Sequence, residues 1–139
     1  MTETVRPTPC ASCPYRRDVP SGIWSEHEYE KLRAYDGSIT EQAIAGAGGL
    51  FMCHQGDGKL CAGWAGCHDM HNTFAARLHA RQLDESVWDY ESPVPLFASG
   101  NEAADHGEAE IEDPSPRARS VIGKVTKLRS LRGRPVRND

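Results

Sequence analysis

The sequence has few hydrophobic side chains: 38% of its 139 residues, with mean hydropathy −0.60. No window approaches the ~18 uninterrupted apolar residues that a membrane-spanning helix needs, and residues 1–9 carry no apolar run behind a basic segment. The expectation is a cytoplasmic chain with no membrane partner. Five cysteines cannot all pair, which argues against a complete disulfide framework. In a reducing compartment grouped cysteines serve as ligands or catalysts. Also missing are a nucleophile elbow, a phosphate loop, an H-E-x-x-H pair and any internal repeat, so a non-catalytic role is expected.

Lys and Arg are absent from residues 84–113, which hold ten acids, net −10. Residues 1–83 carry nine acids and eight bases, net −1, and residues 114–139 carry eight bases and Asp139, net +7; the three blocks sum to −4. Such polarity suggests a separate basic tail with a polyanionic partner. The expected division is a metal-binding domain over 1–113, including the acidic segment 84–113, and a basic C-terminal helix and tail over 114–139.

What the chain does have is a concentration of thiols. Cys10 and Cys13 form a C-x2-C knuckle flanked by Pro9 and Pro14, while Cys53 and Cys61 stand near glycines that permit close backbone approach. Two sulfurs from one turn and two from another segment suit a tetrahedral ion. The expected ligands are Cys10, Cys13, Cys53 and Cys61, with Cys67 the first reserve and His54 or His68 able to replace a sulfur. The competing reading is that the five scattered cysteines are small unligated core residues, since free cysteine is among the most buried side chains. Zinc is the expected ion and an iron–sulfur cluster the alternative, because thiolates serve both. The spacing C-x2-C-x39-C-x7-C matches neither common ferredoxin pattern and favours zinc. With so thin a core, the ~10–16 kcal/mol of apparent binding free energy of a structural zinc would decide folding. Further readings are a second site from Cys67, His68 and His71, and a catalytic His68-Asp69 pair beside Cys67. His27, His79 and His106 read as surface residues.

Local signals predict a helix over 25–35 with a Ser25/Glu28 capping box, a short helix over 40–45, an apolar strand over 50–53 and a turn over 55–59. A helix over 69–82 capped by Asp69, extended chain at 92–95 and a capped helix over 99–107 closed by Gly107 follow. The last predicted helix starts at Ser115 and Pro116, with an apolar stripe of Ala118, Val121, Ile122, Val125 and Leu128. The expected fold class is α+β, a helix-rich small metal-stabilised domain with minimal strand content and a basic C-terminal helix and tail.

The combination Pro9-Cys10-x-x-Cys13-Pro14-Tyr15-Arg16, Cys53-His54 and Cys61-Ala62-Gly63-Trp64 resembles an uncharacterised family of small cysteine-containing proteins of high-GC bacteria and their phages. It covers roughly residues 9–107, including Pro95-Leu96-Phe97. The resemblance implies that Cys10, Cys13, Cys53 and Cys61 belong to the family's pattern and Cys67 does not; it implies no known activity.

Arg132-Gly133-Arg134-Pro135 is similar to an AT-hook core, in which glycine lets the backbone approach the minor groove while arginines enter its negative potential. The competing reading is a helix stop, with Gly133 ending the helix and Pro135 preventing its resumption. The expected nucleic-acid contacts are Arg117, Arg119, Lys124, Lys127, Arg129, Arg132, Arg134 and Arg137. The leading expectation is a regulatory or adaptor protein that binds nucleic acid through this segment. The alternatives are a phage-type module acting on a host or regulatory protein complex, and an iron–sulfur redox sensor or thiol redox enzyme.

Overall fold

A computed structural model describes residues 2–53 and 58–131. Six α-helices occur among them: α1 (Glu26–Arg33), α2 (Ile39–Ile44), α3 (Ala62–Cys67), α4 (Phe74–Leu78), α5 (Gly100–Glu108) and α6 (Pro116–Ser130). Extended pairing among these residues is confined to isolated bridges, so the fold is small and helix-rich with very little strand. The segment expected as a strand at 50–53 is one side of a short antiparallel contact, Met52 opposite Leu60. Backbone bonds from Cys53 N to Lys59 O and from Cys61 N to Phe51 O hold it. Chain near the N-terminus completes this layer, with Val5 bridging Leu60 and Glu3 bridging Leu83, both parallel.

Helix ends follow local chemistry, with several departures from expectation. Ser25 precedes α1 but makes no side-chain cap, and its buried hydroxyl has no hydrogen-bond partner among the described residues; the expected capping box with Glu28 does not form. Glu28 instead pairs with Lys31. A capping box does form at the next helix, α2: Ser38 Oγ accepts from Glu41 N while the Glu41 carboxylate accepts from Ser38 N. The expected helix at 69–82 is broken into a 3-10 turn at Met70–Asn72, α4, and a second 3-10 turn at Ala80–Gln82. Both Asp69 and Thr73 occupy N-cap positions there, and an extended Thr73 interrupts the helix. α5 is capped by Ser99 as expected, but Gly107 lies inside it and is buried.

Tyr15, Ile23, Trp24, Tyr29, Leu32, Leu60, Trp64 and Val87 are buried at the centre. α1 packs against α5. Gly100, Ala103, Ala104 and Gly107, at i, i+3, i+4 and i+7, give α5 one face of small buried residues. Tyr29 and Leu32 of α1 fill the space this face leaves, and a β-carbon at Gly107 would sit 2.1 Å from the Tyr29 ring. Asp36, just beyond α1, accepts from the first α5 amides, Gly100 N at 2.8 Å and Asn101 N at 2.7 Å.

α6 starts at Ser115 and Pro116 as expected. It does not project as a separate tail: Ala118 and Val125 belong to the shared core, and the Arg129 guanidinium lies 5.4 Å from the Trp24 ring. No helix among the described residues is long and apolar enough to cross a membrane.

Candidate metal centre

The turn at residues 10–13 is closed by Cys13 N donating to Cys10 O at 2.9 Å. Trp24 Nε1 donates to Ser12 O at 2.8 Å, and Arg16 Nη1 to Pro9 O at 3.0 Å, which anchors the turn on both sides. The following residues are held to the segment before α5 by Phe97 N to Tyr15 O, 2.9 Å, and by the Arg16–Leu96 bridge. The knuckle is therefore fixed by backbone and side-chain bonds from three parts of the chain.

Cys61 arrives from the other side as the N-cap of α3, its sulfur accepting from Trp64 N at 3.4 Å. Cysteine is not a usual N-cap residue, which is why the sequence carried no signal for α3 and why Cys67, expected to precede a helix, is instead the last residue of one. Gly63 on α3 lets the helix reach the knuckle: a β-carbon there would lie 2.4 Å from Cys13 Sγ and 2.7 Å from Tyr15 Cβ.

The four expected ligands are all buried. Cys13 Sγ and Cys61 Sγ are 4.0 Å apart. Cys10 interacts with both Cys13 and Cys53. For comparison, sulfurs at the usual 2.3 Å from a tetrahedral zinc are about 3.8 Å from one another. Among the described residues, no group of three or more His, Cys, Asp or Glu side chains is arranged so that it could hold a metal ion. His54 lies outside the described residues.

Electrostatically the thiols are held as acids reluctant to ionise. A hydrogen bond with Cys13 and burial push the Cys10 thiol up to about 11, against opposing bonds from Cys53 and Ser12. Cys13 is also raised: its bond with Cys10 lowers it, but the Cys61 contact and burial outweigh that. Positive charge stands nearby. Arg6 Nη1 donates to Cys53 Sγ at 3.9 Å, and Arg16, paired with Asp18, also feels the Cys13 and Cys10 sulfurs. The Tyr15 backbone N–H adds a bond to Cys13 sulfur.

Cys67 stands apart from this group. Burial, with Asp36 and Glu102 nearby, pushes its thiol up to about 12. With His68 it lines a polar cleft of about 360 Å³ that also includes Asp36, Gln42 and Asn72. His68 Nε2 lies 3.3 Å from Tyr15 Oη and its Nδ1 3.8 Å from Asp36. The neighbouring expectations for a second site do not assemble there: His71 packs against Trp88, and the Asp69 carboxylate caps its own turn through His71 N and Asn72 Nδ2. His79 and His106, read as surface residues, are half-buried and bond the backbone carbonyls of Gly48 and Val19.

The residues expected to contact nucleic acid divide into three groups. Arg117 donates to Asp18 O, Arg119 pairs with Asp113 and Pro114 O, and Arg129 packs on Trp24. Lys124 and Lys127 are exposed on α6. Arg132, Arg134 and Arg137 lie outside the described residues.

Residues 5–131 match the model of a family of unknown function, DUF6283, and the chain belongs to that family. No curated protein and no solved structure matches it.

Proposed function

We propose that Cys10, Cys13, Cys53 and Cys61 hold one zinc ion as a structural centre, and that the chain is a non-catalytic regulatory or adaptor protein built on it. The observation that carries this reading is the meeting of the knuckle with the Cys53–Cys61 segment. All four thiols are buried, and one sulfur from each stretch, Cys13 Sγ and Cys61 Sγ, stand 4.0 Å apart, close to the edge of a zinc–thiolate tetrahedron. Because Cys10 and Cys13 are held protonated, binding releases protons and affinity rises with pH.

Metal analysis of anaerobically purified protein, with its absorption spectrum, tests the centre. The expected result is one zinc per chain and no visible band. Stoichiometric iron and sulfide would replace this reading with the iron–sulfur sensor. Cys53→Ser is expected to release the ion and unfold the domain, whereas Cys67→Ser does neither; equal loss from both would show that the ligand set is wrong.

The nucleic-acid partner is proposed to be contacted by Lys124, Lys127, Arg132, Arg134 and Arg137. If roughly five phosphates are neutralised, log K falls with log[salt] at a slope near −4 to −5. The engagement of Arg117, Arg119 and Arg129 within the fold argues against a steeper dependence. A salt-insensitive titration of A·T-rich and G·C-rich duplexes would leave α6 to a protein partner.

A further inference from the structure

Around Leu60 four short stretches of chain lie side by side, and one outer edge of this layer is open. Leu60 N donates to Thr4 O at 2.9 Å, Arg6 N to Leu60 O at 3.1 Å and Asp84 N to Glu3 O at 2.8 Å, so residues 3–6 lie between Leu60 and residues 82–84. On the other side of Leu60, Cys53 N donates to Lys59 O and Cys61 N to Phe51 O. These bonds flank the Met52–Leu60 bridge, which is therefore a non-hydrogen-bonded pair. The N–H and C=O of Met52 point away from Leu60, toward the outer edge. Leu50, two residues earlier, has the same parity. Among the described residues neither Leu50 nor Met52 makes a backbone hydrogen bond, and the Met52 side chain is exposed. An open edge of this kind is a template for another strand.

We infer that this edge docks an extended acidic peptide of a partner protein, added to residues 50–53 as a further strand. The inference rests on neither the zinc nor the nucleic-acid reading. Added strands bind through main-chain hydrogen bonds, and pockets for alternate side chains select the sequence. Both parts are present. Leu50 and Met52 offer the donors and acceptors, and a cleft of about 360 Å³ is lined by all four of residues 50–53. Tyr35, Leu50 and Phe51 give the cleft an apolar part. Its charged part sets Lys31 and Arg129 against a single carboxylate, Glu28, which already pairs with Lys31 at 3.2 Å. Residues two apart on a strand share a face, so the peptide that fits carries an apolar side chain and a carboxylate at i and i+2.

Sequence and charge favour this occupant over two others. Arg129, in the last turn of α6, lines the cleft, but the chain that follows the helix, Arg132-Gly133-Arg134-Pro135-Val136-Arg137, is basic, and Pro135 has no N–H to give an edge. A second copy would offer its own Leu50-Phe51-Met52-Cys53, which holds no carboxylate to answer Lys31 and Arg129. An acidic strand supplies both the backbone groups and the charge that the edge and its cleft lack.

The test titrates the full chain, labelled with carbon-13 at its methionine methyls, with a capped peptide about eight residues long, an ordinary strand length. The peptide repeats valine and glutamate in pairs, so that each of its faces carries both. The Met52 methyl is expected to shift saturably, while that of buried Met70 stays in place. Near saturation the Leu50 and Met52 amides are expected to exchange with deuterium about tenfold more slowly, and the Cys53 and Cys61 amides, already bonded, to be unchanged. Met52→Pro removes a donor that no described residue uses and is expected to weaken binding about tenfold. Where that variant fails to fold, N-methylation throughout the peptide removes the same main-chain bonds and leaves the protein untouched. Lys31→Glu, at an exposed position of α1, is expected to weaken this peptide and to favour its lysine-for-glutamate counterpart. An unshifted Met52 methyl, undiminished binding of the N-methylated peptide, or equal wild-type binding of the glutamate and lysine peptides overturns the inference. So does a Met52 amide already protected without peptide: protection that grows with protein concentration assigns the edge to a second copy, and protection that does not assigns it to the chain itself.

Discussion

At the scale of single residues, the centre depends on an absent side chain. A β-carbon at Gly63 meets Cys13 Sγ and the Tyr15 backbone-proximal carbon, neither of which is the loose end of a flexible chain. Gly63→Ala is therefore expected to destabilise the protein by about 1–3 kcal/mol and to weaken zinc binding, read by urea unfolding and competition with a chelator. Gly66→Ala is the control, since the nearest atom there is the Leu96 Cδ1 methyl, which can turn aside. Equal effects of the two would mean that the approach of α3 to the knuckle is not what Gly63 provides. The sequence showed that glycines beside Cys61 permit close approach, but spacing alone does not distinguish Gly63 from Gly66. It also gave the grouping of Cys10, Cys13, Cys53 and Cys61, whereas the cap formed by Cys61 depends on where a sulfur points and left no trace in residue type.

At the scale of elements, the α1–α5 joint and α6 make opposite demands on glycine. Gly100 faces the Leu32 carbonyl and Gly107 the Tyr29 ring, which is itself fixed by Ile23 N and Trp24 N donating to its hydroxyl. Alanine at either position is expected to cost about 2–3 kcal/mol. Gly123, inside α6, has open space where a β-carbon would go, so Gly123→Ala is expected to stabilise by roughly 0.5–1 kcal/mol through helix propensity. Thermal melts of the three variants check both signs; a stabilised Gly107→Ala would refute the close joint. Helix starts marked by Ser99 and by Ser115-Pro116 were legible because side-chain caps are local chemistry. The break at Thr73 was not, because its residue type is compatible with either path and tertiary bonds decide. Among those bonds are Thr73 Oγ1 to Asp69 O and the Gln42 carbonyl accepting from Phe74 N.

At the scale of the whole molecule, His68 joins three parts: the knuckle through Tyr15, α3 as its C-cap, and the α1–α5 joint through Asp36. Burial pushes its pKa below the ordinary 6.5, with Asp36 opposing and not cancelling the effect. The unfolded chain then binds a proton that the folded chain refuses, so this contribution to stability is complete above about pH 6.5 and is lost as pH falls toward the folded value. His68→Gln is expected to flatten the pH dependence below about pH 6.5 relative to wild type. Acid-range losses from Asp18, Glu30, Glu41 and Asp84, whose pKa values are lowered by their partners, are expected to remain. Denaturant midpoints across pH for both chains, each at the same saturating zinc concentration, check this; identical slopes would refute it. Charge patterning suggested an independent basic segment from residue 114, because composition reports sign and not docking. Ala118, Val125 and Arg129 instead tie α6 to the core that surrounds Trp24.

The loop behind the knuckle is completed from far along the chain. Gly22 N and Ser21 Oγ both donate to Gly107 O, and His106 bonds Val19 O. During synthesis the fourth thiol, Cys61, therefore leaves the ribosome some 46 residues before Gly107. At roughly 5–20 residues per second that is an interval of several seconds. Through that interval the nascent chain carries the four thiols of the proposed centre without the residues that later complete the loop behind the knuckle, so the cellular pools of free metal and oxidant meet this protein first as a polypeptide still being translated.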